Sequence, residues 1–180
     1  MLQIHFVIFC FQFSLFMRLQ KSTVLSLNEF IAAEAHSRSA HLFFQNWCET
    51  NGFTGMKTYC RQAAEQHWNF QNQMMNYLQE CGQVAENPEV HPPHPAIDSY
   101  EDLVNLLLDR SEQHLQQLNG IAKACWNAQD YDPLNFLKTR MEREVKIRKG
   151  LWDWKNQIQY LPAQSEGLLF FDQNIPANMI

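Results

Sequence analysis

The hydrophobic positions recur with the period of an α-helix along most of this chain. Four long helices are predicted, separated by residues that favour turns, over about 22–50, 54–81, 99–126 and 132–160. Thr54 is the predicted N-cap of the second helix, and Gly82 follows its predicted end. The Asp132-Pro133 pair marks the start of the fourth. No alternating strand pattern competes with these helices, so we predict an all-α fold.

The connections between the predicted helices define a topology. Residues 51–53 and 127–132 form short links, so the helices on either side of each link should be antiparallel neighbours. The middle connection holds four prolines that exclude helix: Pro88, Pro92, Pro93 and Pro95. At about 3.3 Å per residue, an extended connection of about 16 residues can run the length of the bundle. We predict a four-helix bundle with one long crossover, the ferritin-like topology, and a possible short helix within 165–180.

Composition and charge limit the class of protein. A chain of 180 residues with 46% hydrophobic residues is long enough for one domain with a sizeable core. The net charge of -5 argues against a nucleic-acid partner, because such proteins carry basic patches. The five cysteines form no CxxC pair, which favours reduced thiols in a cytoplasmic protein.

Residues 1–16 are a compositional outlier, with many bulky apolar side chains and no Asp, Glu, Lys or Arg. The segment is short for a membrane-spanning helix, which needs about 20 residues. It also lacks the basic start and small-residue cleavage site of a signal peptide. We expect an apolar extension ahead of a natural start at Met17, with residues 17–180 forming the domain. A segment packed on the surface and a membrane anchor are the alternatives.

Glu34 is the first residue that points to chemistry. It shares one face of the first predicted helix with Leu27, Phe30 and Ile31. A carboxylate that faces a core costs several kcal/mol unless a cation or a metal ion neutralises it. The sequence therefore predicts a positively charged partner for Glu34 inside the bundle.

Several motifs, in order and spacing, resemble the bacterial non-haem ferritins. They are LNEFIAAEAHS with QNWC, the GFTG turn, a helix ending MMNYLQECG, NAQDYDPLNFLK and the tail SEGLLFFD. The resemblance covers nearly everything after Met17. It implies a hollow shell of two dozen subunits that stores iron as a ferric mineral, with Fe(II) oxidised at a di-iron carboxylate centre inside each bundle. Nothing marks a haem ligand, and the resemblance is to the non-haem branch.

The resemblance places the di-iron ligands of the first two helices on changed residues. The glutamate of the first helix corresponds to Glu34. The Glu-x-x-His pair of the second helix corresponds to His67 and Phe70, so the carboxylate is replaced and the histidine is lost.

The third and fourth helices depart from the family pattern as well. The glutamate of the third helix corresponds to Ser111, with Glu112 one residue out of register. In the fourth helix the liganding glutamate of the family corresponds to Ile147. The Gln or Glu that serves the second iron site corresponds to Glu144. A di-iron centre needs several bridging carboxylates and imidazole, so we predict a degenerate ferroxidase centre.

We therefore expect a salt bridge in place of the metal centre, with Arg143 or Lys146 as the partner of Glu34. Two alternatives stay open: a weak site for one metal ion formed by Glu34, His67 and Glu144, and a Glu34 side chain that reaches solvent. The catalytically silent light chain of animal ferritins is similar in having a salt bridge at this place.

Two functions follow from the resemblance. The first is an iron-storage shell subunit, homo-oligomeric or mixed with an active ferritin, with weak or absent ferroxidase activity of its own. The alternative is a structural, catalytically silent ferritin-fold subunit with no iron chemistry. Whether the chain is an enzyme stays open at this stage. We expect no nucleic-acid or membrane partner.

Overall fold

The structure is a computed structural model that describes residues 19–91, 95–163 and 165–175. These residues form α-helices and connecting segments, without a strand among them. The helices are α1 (Lys21–Asn51), α2 (Thr54–Glu80), α3 (Tyr100–Ala128), α4 (Asp132–Ile158) and α5 (Glu166–Gln173). Helix α1 packs against α2 and α3, α4 packs against α3, and α5 packs against α2. The predicted four-helix bundle with a short C-terminal helix is confirmed.

The apolar extension at residues 1–16 and the expected start at Met17 lie outside the described residues. Among the helices that the structure does describe, none combines the length and the apolar character needed to cross a membrane.

The crossover between α2 and α3 is fastened to α1 near both of its ends. The Asn28 side chain donates to the carbonyl oxygen of Val84 at 3.3 Å and accepts from the backbone N–H of Glu86 at 2.8 Å. Trp47 Nε1 donates to the carbonyl oxygen of Ile97 at 3.0 Å. Both side chains lie in stretches that carry the family resemblance, LNEF and QNWC, so those stretches fix the path of the crossover.

Two apolar clusters fill the bundle, one toward each end. One includes Leu27, Phe30 and Leu118, and the other includes Phe44 and Trp154. On each of the four long helices, buried polar or charged residues come between the residues of one cluster and those of the other. Because apolar packing excludes water on both sides, the charges in this middle layer must be neutralised within the protein.

Asp172 of α5 caps the N-terminus of α2. Its two carboxylate oxygens accept from the backbone N–H groups of Gly55 and Met56 at 2.8 and 2.9 Å, and Tyr100 Oη donates to it at 3.1 Å. The prediction of Thr54 as N-cap is therefore wrong: α2 begins at Thr54, and its cap comes from a distant side chain. A Cβ atom at Gly55 would lie 1.7 Å from the carbonyl oxygen of Asp172, so only glycine allows α5 to approach this closely.

Replacing Asp172 by alanine should destabilise the protein. The variant loses two capping hydrogen bonds and leaves the Tyr100 hydroxyl without its partner, so we expect the free energy of unfolding to fall by about 2–4 kcal/mol. Urea denaturation at fixed protein concentration measures this. The control is Asp153→Ala, which removes a surface pair with Lys149 and should cost about 0.5 kcal/mol or less. Equal losses in both variants would contradict the capping role.

Candidate metal centre

A compact polar cluster occupies the middle of the bundle, and each of the four long helices contributes to it. All of its members are less than one-tenth exposed. They are Glu34 from α1, His67 from α2, Ser111 and His114 from α3, and Arg140 and Glu144 from α4. We call these six residues the central cluster. Ser111 and His114 are three residues apart and Arg140 and Glu144 are four apart, so each pair lies on one face of its helix.

Glu34 is fully buried and has a partner on every other long helix. Its Oε2 accepts from His67 Nδ1 at 2.5 Å. Its Oε1 accepts from His114 Nε2 at 2.8 Å and from Arg140 Nε at 3.3 Å. The carboxylate therefore joins α1 to α2, α3 and α4.

Glu144 is the second carboxylate of the central cluster. Its Oε1 accepts from the Ser111 hydroxyl at 2.7 Å. Its Oε2 accepts from Arg140 Nη1 at 2.7 Å and from His114 Nδ1 at 3.0 Å. Arg140 thus lies between the two carboxylates, and His114 also bridges them through its two ring nitrogens.

The pKa directions indicate which groups are charged. Burial alone would raise the pKa of Glu34, but the positive charge of Arg140 and the contacts with His114 and His67 hold it well below its usual range. Burial opposes ionisation of Glu144 too, yet the His114 hydrogen bond and Arg140 lower its pKa to about 2. For His114, burial would lower the pKa, but Glu34 and the carboxylate hydrogen bonds raise it above 6.5. Two carboxylates therefore face the Arg140 guanidinium and a His114 ring whose protonated form they stabilise.

Two further histidines are neutral. Burial lowers the pKa of His67, and this outweighs the attraction of its charged form to Glu34. Burial, with His67 nearby, lowers the pKa of His41 to about 3, and its Nδ1 lies 2.8 Å from the carbonyl oxygen of Ser37. A neutral His67 that donates from Nδ1 to Glu34 satisfies the short contact between them.

A small cavity of about 30 Å³ lies beside the central cluster, bordered by His41, His67, Arg140 and Arg110 among others. This volume suffices for about one or two water molecules. Arg110 is partly buried, lies over the Phe44 ring, and has no ion pair within the described part of the chain. With Arg110 included, the formal charge around the cavity is positive.

The residues present do not fit a di-iron centre. Such a centre holds two cations between several bridging carboxylates, whereas the central cluster has two carboxylates, both paired with Arg140. Phe70, where the resemblance places the family histidine, has its ring centre 5.4 Å from Arg140 Cζ. Ile147, where the resemblance places a family glutamate, packs against an apolar cluster.

The partner predicted for Glu34 needs correction. Arg143 is partly exposed, Lys146 is exposed, and neither forms an ion pair with Glu34. Arg140, one turn before Glu144, takes that role instead. Solvent does not reach Glu34 either, since its side chain is 0% exposed.

The structure brings the other predicted site residues together and adds a histidine. Glu34, His67 and Glu144 all belong to the central cluster, but Arg140 and His114 lie between Glu34 and Glu144. Sequence analysis missed both. The signal was available, because His114 follows Ser111 by three residues and Arg140 precedes Glu144 by four, spacings that place each pair on one helical face.

Comparisons with known proteins agree with this architecture. A family profile for the ferritin-like domain, Ferritin, matches residues 24–161, and the chain belongs to this family. The bacterial non-heme ferritins of Escherichia coli O6:H1 and Shigella flexneri are each 24% identical over 160 residues, covering 87% of this chain and 95% of theirs. The resemblance to bacterial non-haem ferritins is confirmed.

Solved structures show the same fold. The open pore ferritin of the archaeon Archaeoglobus fulgidus superimposes with a TM-score of 0.82 at 18% identity, over 87% of this chain and 95% of that one. A humanized archaeal ferritin gives a TM-score of 0.83 at 16% identity, over 87% of this chain and 96% of that one. The ferritin-like fold is therefore confirmed.

Acid should destabilise the protein partly through Glu144. Its folded pKa of about 2 lies below the ordinary value of 4.5, so its contribution is present above pH 4.5 and is lost as the pH falls toward 2. Between about pH 6 and pH 3, we expect the free energy of unfolding of Glu144→Gln to fall by about 2 kcal/mol less than that of the wild type. Urea denaturation across this range measures the difference.

The control for this pH series is Glu142→Gln on the same helix. Glu142 is exposed and lies 4.0 Å from Lys138, so the variant should keep the pH dependence of the wild type. The assignment fails if Glu144→Gln and the wild type lose stability in parallel.

Proposed function

We propose that this protein is a subunit of an iron-storage ferritin shell whose own oxidation of Fe(II) is slow or absent. The observation that supports this most strongly is the Arg140 guanidinium, which pairs with both Glu34 and Glu144. These carboxylates lie where the resemblance places ligands of the di-iron centre. The Arg140 guanidinium thus occupies the place where Fe(II) ions would bind.

Electrostatics favour the same conclusion. A ferroxidase centre attracts Fe²⁺ because unpaired carboxylates give it a negative potential. Here Arg140 pairs with both carboxylates, His114 donates to both, and Arg110 adds a positive charge beside the cavity. An Fe²⁺ ion that approaches must displace a bound guanidinium and overcome this positive potential.

The shell part of the proposal rests on family membership and on the exposed apolar side chains. Leu42 and Trp68 are about two-fifths exposed, and Leu169 and Phe170 on α5 are 43% and 69% exposed. Contact with other subunits would cover such side chains. We propose a homo-oligomeric shell of two dozen subunits, possible also as a mixture with an active ferritin. The described cysteines are free thiols, which fits a reducing cytoplasm.

A second candidate is a structural subunit without iron chemistry. Within residues 62–73 of α2, all described, Glu65 is the only acidic residue, and amides and aromatic rings make up most of the exposed side chains. Clusters of carboxylates are what a protein surface offers to hard iron ions. This stretch of α2 therefore offers iron few ligands, which favours a subunit without iron chemistry of its own.

Stopped-flow oxidation of Fe(II) in air tests the proposed function. We expect the purified protein to oxidise Fe(II) no faster than buffer with an inert protein, because no pair of carboxylates is free to bind two ions. A bacterial ferritin with the full carboxylate set serves as the positive control. Oxidation at the rate of that control would contradict the degenerate centre.

Sedimentation of the same sample separates the two candidates. A large closed particle that carries ferric iron after slow oxidation supports storage. A large particle without iron, with the ferric product precipitated, supports the structural role. If only monomers or dimers are found at all concentrations, the shell assumed by both candidate functions is contradicted.

A further inference from the structure

We propose that Glu34, His67 and His114 can bind one divalent transition-metal ion. In this structure the Arg140 guanidinium occupies the position of that ion, which binds when the guanidinium moves away. Their ligand atoms all lie within 4.8 Å of one another, and all three side chains are buried. This site for a single ion goes beyond the proposed shell function and does not depend on it.

The ligand types select the class of ion. Two imidazoles with one carboxylate form a set rich in nitrogen, which suits Zn²⁺ and other borderline divalent ions with open coordination positions. A di-iron centre relies mainly on carboxylate oxygens. The proposed site therefore differs from the family centre in its number of ions and in its ligands.

The distances between the proposed ligand atoms are those of hydrogen bonds, which are shorter than the spacing around a metal ion. Glu34 Oε2 lies 2.5 Å from His67 Nδ1, and Glu34 Oε1 lies 2.8 Å from His114 Nε2. Around a metal ion with bonds of about 2.0–2.2 Å, neighbouring ligand atoms are about 3 Å apart or slightly more. Each pair needs to open by about half an ångström, while the protons that now bridge them leave to solvent.

Arg140 is the direct competitor for these ligands. Its Nε lies 3.3 Å from Glu34 Oε1, and its Nη2 lies 3.2 and 3.5 Å from the Nδ1 atoms of His114 and His67. A divalent ion at the three ligands would lie beside the positive guanidinium and be repelled. The adjoining cavity of about 30 Å³ offers room for water that would complete the ion's coordination.

Glu144 is outside the proposed ligand set, because it holds Arg140 and accepts from Ser111. Replacing Arg140 and Glu144 together therefore removes one positive and one negative charge and keeps all three ligands. The double variant Arg140→Met with Glu144→Gln leaves Glu34 facing His114, so the buried charges still balance.

Calorimetric titration with Zn²⁺, which needs no oxidation, tests the site. We expect the double variant to bind one ion per chain with an affinity on the order of 100-fold or more above the wild type, because the guanidinium that now contacts all three ligands is gone. Adding His114→Gln to the double variant should lower that affinity by at least about tenfold. Because Zn²⁺ would bind the folded chain, the melting temperature of the double variant should rise when Zn²⁺ is added.

Arg143→Met is the matched control, since Arg143 is on the same helix and outside the central cluster. It should bind Zn²⁺ as weakly as the wild type. Absence of Zn²⁺ binding in a folded double variant would overturn the site, as would binding unaffected by His114→Gln. Wild-type affinity equal to that of the double variant would overturn the competition with Arg140.

Wild-type crystals soaked in Zn²⁺ give an independent measurement if the double variant does not fold. An anomalous peak at Glu34, His67 and His114, with Arg140 displaced, supports the proposal. Zinc found only elsewhere, or not at all, contradicts it.

Discussion

The neutralisation of Glu34 is the constraint on which the middle of this bundle depends. A fully buried carboxylate costs several kcal/mol unless charged and hydrogen-bonded partners surround it. Here the partners come from α2, α3 and α4, so the four long helices meet around one side chain. In this chain the Arg140 guanidinium supplies a positive charge to Glu34, and His114 donates a hydrogen bond to it.

The forces that form the bundle lie mostly outside the central cluster. The apolar clusters above and below the central cluster, the crossover held by Asn28 and Trp47, and the α5 cap at Asp172 depend on residues outside the metal position. Changes in the residues of the central cluster can therefore alter its chemistry while the forces that form the bundle stay in place. In our proposal, the charge balance of the central cluster decides whether an ion can enter.

The sequence predicted the bundle well because helix periodicity and turn residues are local signals. The predicted ends of the four long helices lie within one or two residues of the observed ones. The site was harder, because residues three apart on a helix differ by only about 60° in direction, and a small error in register exchanges Arg143 for Arg140. The Asp172 cap was missed for another reason: it joins residues more than a hundred positions apart, and no local pattern records that contact.

A double-mutant cycle between Glu34 and Arg140, measured as free energies of unfolding at neutral pH, tests whether Arg140 neutralises Glu34. Arg140→Met and Glu34→Gln should each cost about 3–5 kcal/mol, because each leaves a buried charge unbalanced. The double variant retains Glu144 facing His114, so its loss should fall short of the sum by about 2 kcal/mol or more. Losses that simply add would contradict an account in which Arg140 exists to neutralise Glu34.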